Sequence, residues 1–256
     1  MMLGISFIFA ILIEIFFPIA LAFWITRRFK TDWLLIGVGA ATFILSQVVH
    51  LPIVTGLTVA AQNRWFAFPA GLPGKLINAI LLGFLAGICE EPARWLGYKF
   101  LKSKADSWKA AVTLGVGHGG IESIGLVGLS VFANLVLMIL VSNFGLHIPG
   151  LTEAQVNQFW SLPWHMPLAG AVERLMAILL HITLSTLIWL SIRKKTFLWL
   201  LAAIAWHTLV DFVVVFASST GWSIWAVEGL LAGISLLNLG ILWFTRQSEV
   251  VEPSLI

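Results

Sequence analysis

The sequence predicts an all-α membrane protein, a polytopic helix bundle with about seven transmembrane helices. Of its 256 residues, 59% are hydrophobic and only 11% are charged, whereas a soluble globular chain carries about a quarter charged residues. Apolar runs that match the roughly 20 residues needed to cross a bilayer follow one another along the chain. We therefore expect a single integral membrane domain over residues 1–256, without a separate soluble domain.

The apolar runs cover residues 4–26, 33–57, 77–98, 110–142, 168–190, 197–217 and 223–244. The first run has no Lys or Arg before it and is longer than the apolar segment of a cleavable signal peptide, so we expect a retained helix. The fourth run is too long for one straight crossing. It also holds six glycines from Gly115 to Gly128, which predicts a kink, a strong tilt or local unwinding.

Lysine and arginine concentrate in alternate breaks between these runs, at residues 27–30, 99–109, 193–195 and 246. The other breaks hold only Arg64 and Lys75. With seven spans, every basic cluster falls on one side of the membrane, and the positive-inside rule makes that side cytoplasmic. We expect the N-terminus outside and the C-terminus inside, in a multi-pass protein of a bacterial plasma membrane.

Many tryptophans lie near the ends of the runs, where indole rings favour the lipid headgroup region. We expect an interfacial belt formed by Trp24, Trp33, Trp108, Trp189, Trp199, Trp222 and Trp243. The two outer loops, residues 58–76 and 147–167, contain five prolines and are expected to cap the helices or to re-enter the bundle.

Ionisable side chains recur at helical spacing inside the third to sixth runs. Each costs about 3 kcal/mol at the centre of a membrane helix, so such residues pair, face the bundle interior or perform a function. On single helix faces, Glu90 precedes Arg94, His118 precedes Glu122, and His207 precedes Asp211, each by four residues. The candidate site residues are Glu90, Glu91, Arg94, His118, Glu122, His181, His207 and Asp211.

These groups are predicted to lie at one depth. Glu90, His118, His181 and His207 are nine to twelve residues from the nearest basic cluster, which corresponds to roughly 14–18 Å along a helix. Independent structural pairs have no reason to share a level. We therefore expect one site in which four helices converge.

Structural alternatives exist for individual members. Glu90 and Arg94 could form only an ion pair, His118 could bond a backbone carbonyl, and Asp211 could merely orient the histidine before it. Glu91 points about 100° away from Glu90, as a helper would. Packing or interfacial positions are expected for Glu14, His50, Glu173 and Glu228, and a small hydrophobe for Cys89.

Buried carboxylates and imidazoles can activate water without a serine or cysteine nucleophile. In one route a carboxylate acts as general base and a histidine donates to the oxyanion. In the other, several histidines with a carboxylate hold Zn²⁺, which activates the water. Both routes lead to amide hydrolysis inside the membrane.

The motifs resemble those of the YhfC-type intramembrane metalloproteases, distant relatives of the CPBP/Abi and CAAX-processing protease families. The resemblance covers about residues 77–215 and is carried by Glu90-Glu91 with Arg94, by Gly117-His118-Gly119-Gly120-Ile121-Glu122, by His181, and by His207 with Asp211. It implies a catalytic-type core with Glu90 or Glu91 as the water-activating carboxylate. It further implies His118, His181 and His207 as oxyanion donors or metal ligands, with Arg94, Glu122 and Asp211 as orienting partners.

The resemblance implies a membrane protein or membrane peptide as substrate, in addition to the lipid bilayer, and no nucleic-acid partner. CAAX-type enzymes space the double Glu and the Arg one residue further apart, and they carry an aromatic where this chain has Leu114 and an Asn where it has Asp211. These departures favour the YhfC-like branch. The alternatives are a proton- or metal-coupled transporter, against which the lack of an internal repeat argues, and a non-catalytic scaffold or immunity protein.

Overall fold

The computed structural model describes residues 2–251, and no β-strand occurs among them. Seven helices in this part of the chain are long and apolar enough to cross a membrane: α1 (Met2–Phe29), α2 (Trp33–Gln62), α3 (Leu72–Ala105), α4 (Trp108–Phe144), α5 (Met166–Arg193), α6 (Leu198–Ser219) and α7 (Ile224–Glu249). The predicted all-α, seven-span architecture is confirmed, and the chain is a multi-pass membrane protein.

Helix α5 is the centre of the bundle, because it packs against α1, α3, α4, α6 and α7. Within its most apolar window 67% of the residues are buried, compared with 17–33% in the other six helices. Trp189 is therefore only 1% exposed, and its predicted place in the interfacial belt is wrong. The ring has no lipid-facing side to occupy, whereas Trp24, Trp33, Trp222 and Trp243 are exposed.

Two helices contain a widened, π-type turn, and these turns touch. They span Leu12–Phe16 in α1 and Ser123–Gly128 in α4. A π turn leaves backbone groups without their usual helical partners, and the Ser123 hydroxyl donates to the Glu14 carbonyl at 2.8 Å. This widening is the interruption that the length and glycine content of the fourth run predicted.

The loop between α4 and α5 contains a short helix, Glu153–Trp160, that begins with a capping box formed by Thr152 and Gln155. The Phe159 ring stacks on Phe7 of α1 with 5.1 Å between centroids. The Trp160 indole donates to the Ser142 hydroxyl near the end of α4 at 2.8 Å. The loop therefore caps the bundle at this end.

Helix α4 approaches its neighbours at backbone distance through glycine. A Cβ atom added at Gly115 would lie 2.5 Å from the Ile182 Cα atom of α5. One added at Gly39 of α2 would lie 2.1 Å from the Leu114 carbonyl oxygen. These contacts hold the stretch of α4 that carries His118 directly between α2 and α5.

Replacing Gly115 with alanine should destabilise the fold by about 1–3 kcal/mol, because the added methyl group meets backbone rather than a movable side chain. Gly125→Ala is the matched control in the same helix, since a Cβ there has nothing within 4 Å. Thermal unfolding of the purified proteins in detergent measures the difference. Equal midpoints for the two variants would contradict the close packing.

Candidate active site

The second glutamate of the double-Glu motif is held in a fully buried ion pair. Arg94 Nη1 donates to both Glu91 carboxylate oxygens, at 3.1 and 2.9 Å, and both side chains are 0% exposed. The same carboxylate accepts from His207 Nδ1 at 2.8 Å. The ion pair between Arg94 and Glu90, which the sequence left as an alternative, is not formed, and Arg94 pairs with Glu91. Residues three and four apart are both helix neighbours, and Glu90 turns instead toward α4.

The ion pair continues through His181 into a second pair. Arg94 Nη2 lies 2.9 Å from His181 Nδ1, and because guanidinium can only donate, Nδ1 accepts. The other ring nitrogen, Nε2, pairs with Glu122, and Glu122 accepts from Arg174 Nη1 at 2.9 Å. Arg174 also pairs with Glu173. We call this series from Glu91 to Glu173 the charge chain.

Glu90 forms a separate branch with α2 and α4. Its Oε2 atom lies 3.1 Å from His118 Nε2, and its Oε1 atom accepts from Gln47 Nε2 at 3.3 Å. The other nitrogen of His118, Nδ1, lies 2.9 Å from the Thr42 hydroxyl. The sequence predicts a site on the third to sixth runs only, so neither Thr42 nor Gln47 of α2 was expected in it. The signal was a polar stripe in which Thr42, Ser46 and His50 recur every four residues.

The contact with Thr42 determines which ring nitrogen of His118 carries the hydrogen. The hydroxyl has one hydrogen and lies 2.7 Å from the Gly39 carbonyl as a donor. It then accepts from His118 Nδ1–H, and His118 Nε2 presents its lone pair toward Glu90. An imidazole anchored through one N–H with the other nitrogen free is the usual arrangement of a metal-ligating histidine.

The three predicted histidines form a continuous layer across α4, α5 and α6. The ring centroids of His118 and His181 are 4.9 Å apart, and those of His181 and His207 are 5.5 Å apart. Asp211 Oδ2 lies 3.6 Å from His207 Nε2. The structure thus brings all eight candidate residues into one connected cluster, although Glu122 pairs with His181 rather than with His118 of its own helix.

A cavity of about 240 Å³ reaches this cluster. The polar part of its wall includes Gln47, Glu90, Glu122, His181, His207 and Asp211. His50 and Glu173, which were expected to pack or to lie at the interface, also line it. Glu14 and Glu228 are instead buried in the bundle at 1% and 4% exposure.

Three of the cluster residues fit a metal ion. Glu90, His118 and His181 are buried, and one ligand atom from each lies within 4.8 Å of the others. A carboxylate with two imidazoles is a donor set of catalytic zinc sites. Glu90 takes the place of His207, the third metal ligand that the resemblance implied, and His207 Nδ1 instead contacts Glu91. Because His181 Nδ1 accepts from Arg94, its Nε2 carries the ring hydrogen and would have to give that proton to Glu122 before it could bind the ion.

A multi-pass membrane protein with a buried glutamate–histidine centre beside an internal cavity is the class that the fold and the site define. The sequence profile of the YhfC intramembrane metalloprotease family matches residues 11–231, and the chain belongs to this family. It is 27% identical over 253 residues to the membrane protein YhfC of Bacillus subtilis (strain 168), with 92% of each chain covered. No solved structure matches the chain significantly.

Replacing Arg94 with methionine should destabilise the protein by about 3–5 kcal/mol, because it leaves the Glu91 carboxylate buried without its guanidinium partner. Lys104→Met is the control. Its ion pair with Asp32 is 4.0 Å long and more than half exposed on both sides, so a loss of at most about 1 kcal/mol is expected. Unfolding in detergent compares the two, and similar losses would argue against the buried pair as a structural element.

Proposed function

We propose that this protein is an intramembrane endopeptidase that hydrolyses a peptide bond in or near a membrane segment. The observation that carries the proposal is the position of Glu90, which lines the cavity beside the histidine layer. Glu91 does not line it and is fully committed to Arg94 and His207. We therefore assign Glu90 as the working carboxylate and Glu91 as the residue that orients its neighbours.

The proposed chemistry needs no nucleophilic side chain. Glu90 accepts a proton from a water molecule while the water oxygen attacks the carbonyl carbon of the scissile bond. The proton then passes to the departing amine nitrogen as the carbon–nitrogen bond breaks. Gln47, which donates to Glu90 Oε1 at 3.3 Å, keeps the carboxylate aimed at the cavity.

Histidines supply the groups that face the reacting carbonyl. His207 donates to Glu91 through Nδ1 and turns Nε2 toward Asp211 and the cavity. In the imidazolium form, which these two carboxylates stabilise, an Nε2–H is available to donate to the oxyanion. His181 is held from both sides by Arg94 and Glu122. The charge chain therefore fixes ring orientations before a substrate arrives, and this preorganisation is what oxyanion stabilisation requires.

Glu90, His118 and His181 would hold a divalent metal, which the description of the family implies. We propose Zn²⁺, because the donor set matches catalytic zinc sites. When bound, such an ion acts as a Lewis acid on the carbonyl and makes water easier to deprotonate. Thr42 supports this assignment by anchoring His118 through Nδ1. The carboxylate at position 90 is needed in either case, as the base in the metal-free route and as a ligand in the metal route.

Glu90→Gln should lower the cleavage rate at least about 10²-fold while the protein stays folded, because the amide can neither accept the proton nor bind a metal well. The matched control is Glu228→Gln, another buried carboxyl-to-amide change. Cleavage of membrane-spanning peptides in liposomes, read by mass spectrometry, measures the effect. Full activity of Glu90→Gln would refute the assignment.

The purified wild-type protein should contain about one tightly bound metal ion per chain, and a chelator should abolish its activity. His118→Ala should lose the ion, whereas His147→Ala, an exposed histidine outside the cluster, should keep it. Elemental analysis of the three proteins gives the answer. Cleavage that persists in metal-free protein would overturn the assignment of a catalytic metal and leave Glu90 as a general base without an ion.

A further inference from the structure

The cavity extends from the histidine layer toward one end of the helix bundle. From the histidine layer its lining continues along α5 toward Arg174 and along α6 toward Val215. Both directions lead away from residues 193–195, the basic loop that joins α5 to α6. The cavity therefore extends toward the end of the bundle opposite the lysine and arginine clusters.

On the basic side the histidine layer is closed by a tightly packed core. The Tyr98 hydroxyl, in a residue that is 1% exposed, donates to the Ser185 carbonyl at 2.8 Å. Around it lie side chains that are at most 4% exposed, namely Leu35, Leu101, Leu114, Leu184, Ile188 and Trp189. A second cavity near the centre, about 610 Å³ between α2 and α3, is lined by Thr42 and Ser46 and otherwise by apolar residues and Cys89, and no charged side chain among the described residues lines it.

The charged side chains become more exposed from the histidine layer toward the open end of the cavity. The Glu91 and Arg94 side chains are 0% exposed, whereas those of Glu173 and Asp211 reach 33% and 35%. At the exposed end, Arg174 is shared between two carboxylates, Glu122 and Glu173. We call the exposed end of the cavity, marked by Glu173 and Asp211, the acidic mouth.

We propose that the centre is loaded through the acidic mouth, from the end of the bundle opposite the basic loops, and that it takes substrate segments with a lysine or arginine beside the scissile bond. Carboxylates in a cleft with low-dielectric walls focus the field and concentrate cations. The Lys/Arg preference rests on the proposed peptidase function. The direction in which the mouth opens and its negative charge do not depend on that function.

Thiol labelling tests the mouth without any need for activity. In a Cys89→Ala background, Val215→Cys places a thiol in the cavity wall one turn beyond Asp211, and Leu187→Cys places one in the closed core. A membrane-impermeant cationic methanethiosulfonate is compared with an anionic one of similar size. In sealed vesicles of each orientation, labelling is expected at Val215→Cys only, from the side opposite the basic loops, and at least about tenfold faster with the cation.

Adding Glu173→Gln to Val215→Cys should reduce the cation-to-anion rate ratio about threefold, because one charge near the mouth is removed. Faster labelling by the anion, or labelling from the basic side, would overturn the proposed direction or charge. Labelling of Leu187→Cys at a comparable rate would show that the core is not closed, and would overturn it as well.

The substrate preference is tested with three membrane peptides that differ only in carrying Lys, Leu or Glu beside the scissile bond. The Lys peptide should have the lowest KM, and Glu173→Gln should reduce its advantage over the Glu peptide about threefold. A preference for Glu would overturn the substrate class. Cleavage of none of them, together with the expected labelling pattern, would refute the peptidase function and leave the cation-selective mouth in place.

Discussion

Pairing of buried charge is the constraint on which the rest of this structure depends. Inside a bilayer an unpaired ion costs several kcal/mol, and the protein avoids this by giving every member of the charge chain a hydrogen-bonded or charged partner. Glu91, Arg94 and His181 are almost fully buried, and each has a partner on at least one other helix. Removing one member leaves the next without its partner. The charge chain therefore holds α3, α4, α5 and α6 in one relative position.

Such a chain forms only where helices approach closely, and the sequence supplies this with glycine rather than with large apolar side chains. Gly115 and Gly39 let backbone meet backbone on both sides of α4, so short polar side chains can reach across. Just beyond Glu122 the helix widens against α1. Dispersion and hydrogen bonding, rather than the hydrophobic effect, hold helices together in lipid, and close approach strengthens both.

The sequence was sufficient for the seven spans and for the convergence of the candidate residues, because apolar length and the cost of buried charge are local properties. Which of the buried polar residues form hydrogen bonds or ion pairs with each other was not predictable in the same way. Arg94 could reach Glu90 or Glu91 by helix geometry alone, and the position of His118 on α4 decided which. Thr42 and Gln47 were missed because neutral polar residues carry little cost in a span. Trp189 was misplaced because its position in the sequence does not reveal that α5 is surrounded.

The site is asymmetric, and the asymmetry bears on its function. A transport pathway must open alternately to both sides, so its polar groups line a route through the bundle. Here the polar wall ends at the histidine layer, and beyond it Tyr98 and Trp189 are packed at 1% exposure. A hydrolase needs the opposite arrangement, in which water and substrate reach a fixed set of dipoles from one side while the other side keeps them rigid. The closed end belongs to the same packed helices that hold Arg94 and His181, so opening it would disturb the groups that orient the centre. This dependence of the site's geometry on the closed end favours a catalytic function over the transport of an ion or solute.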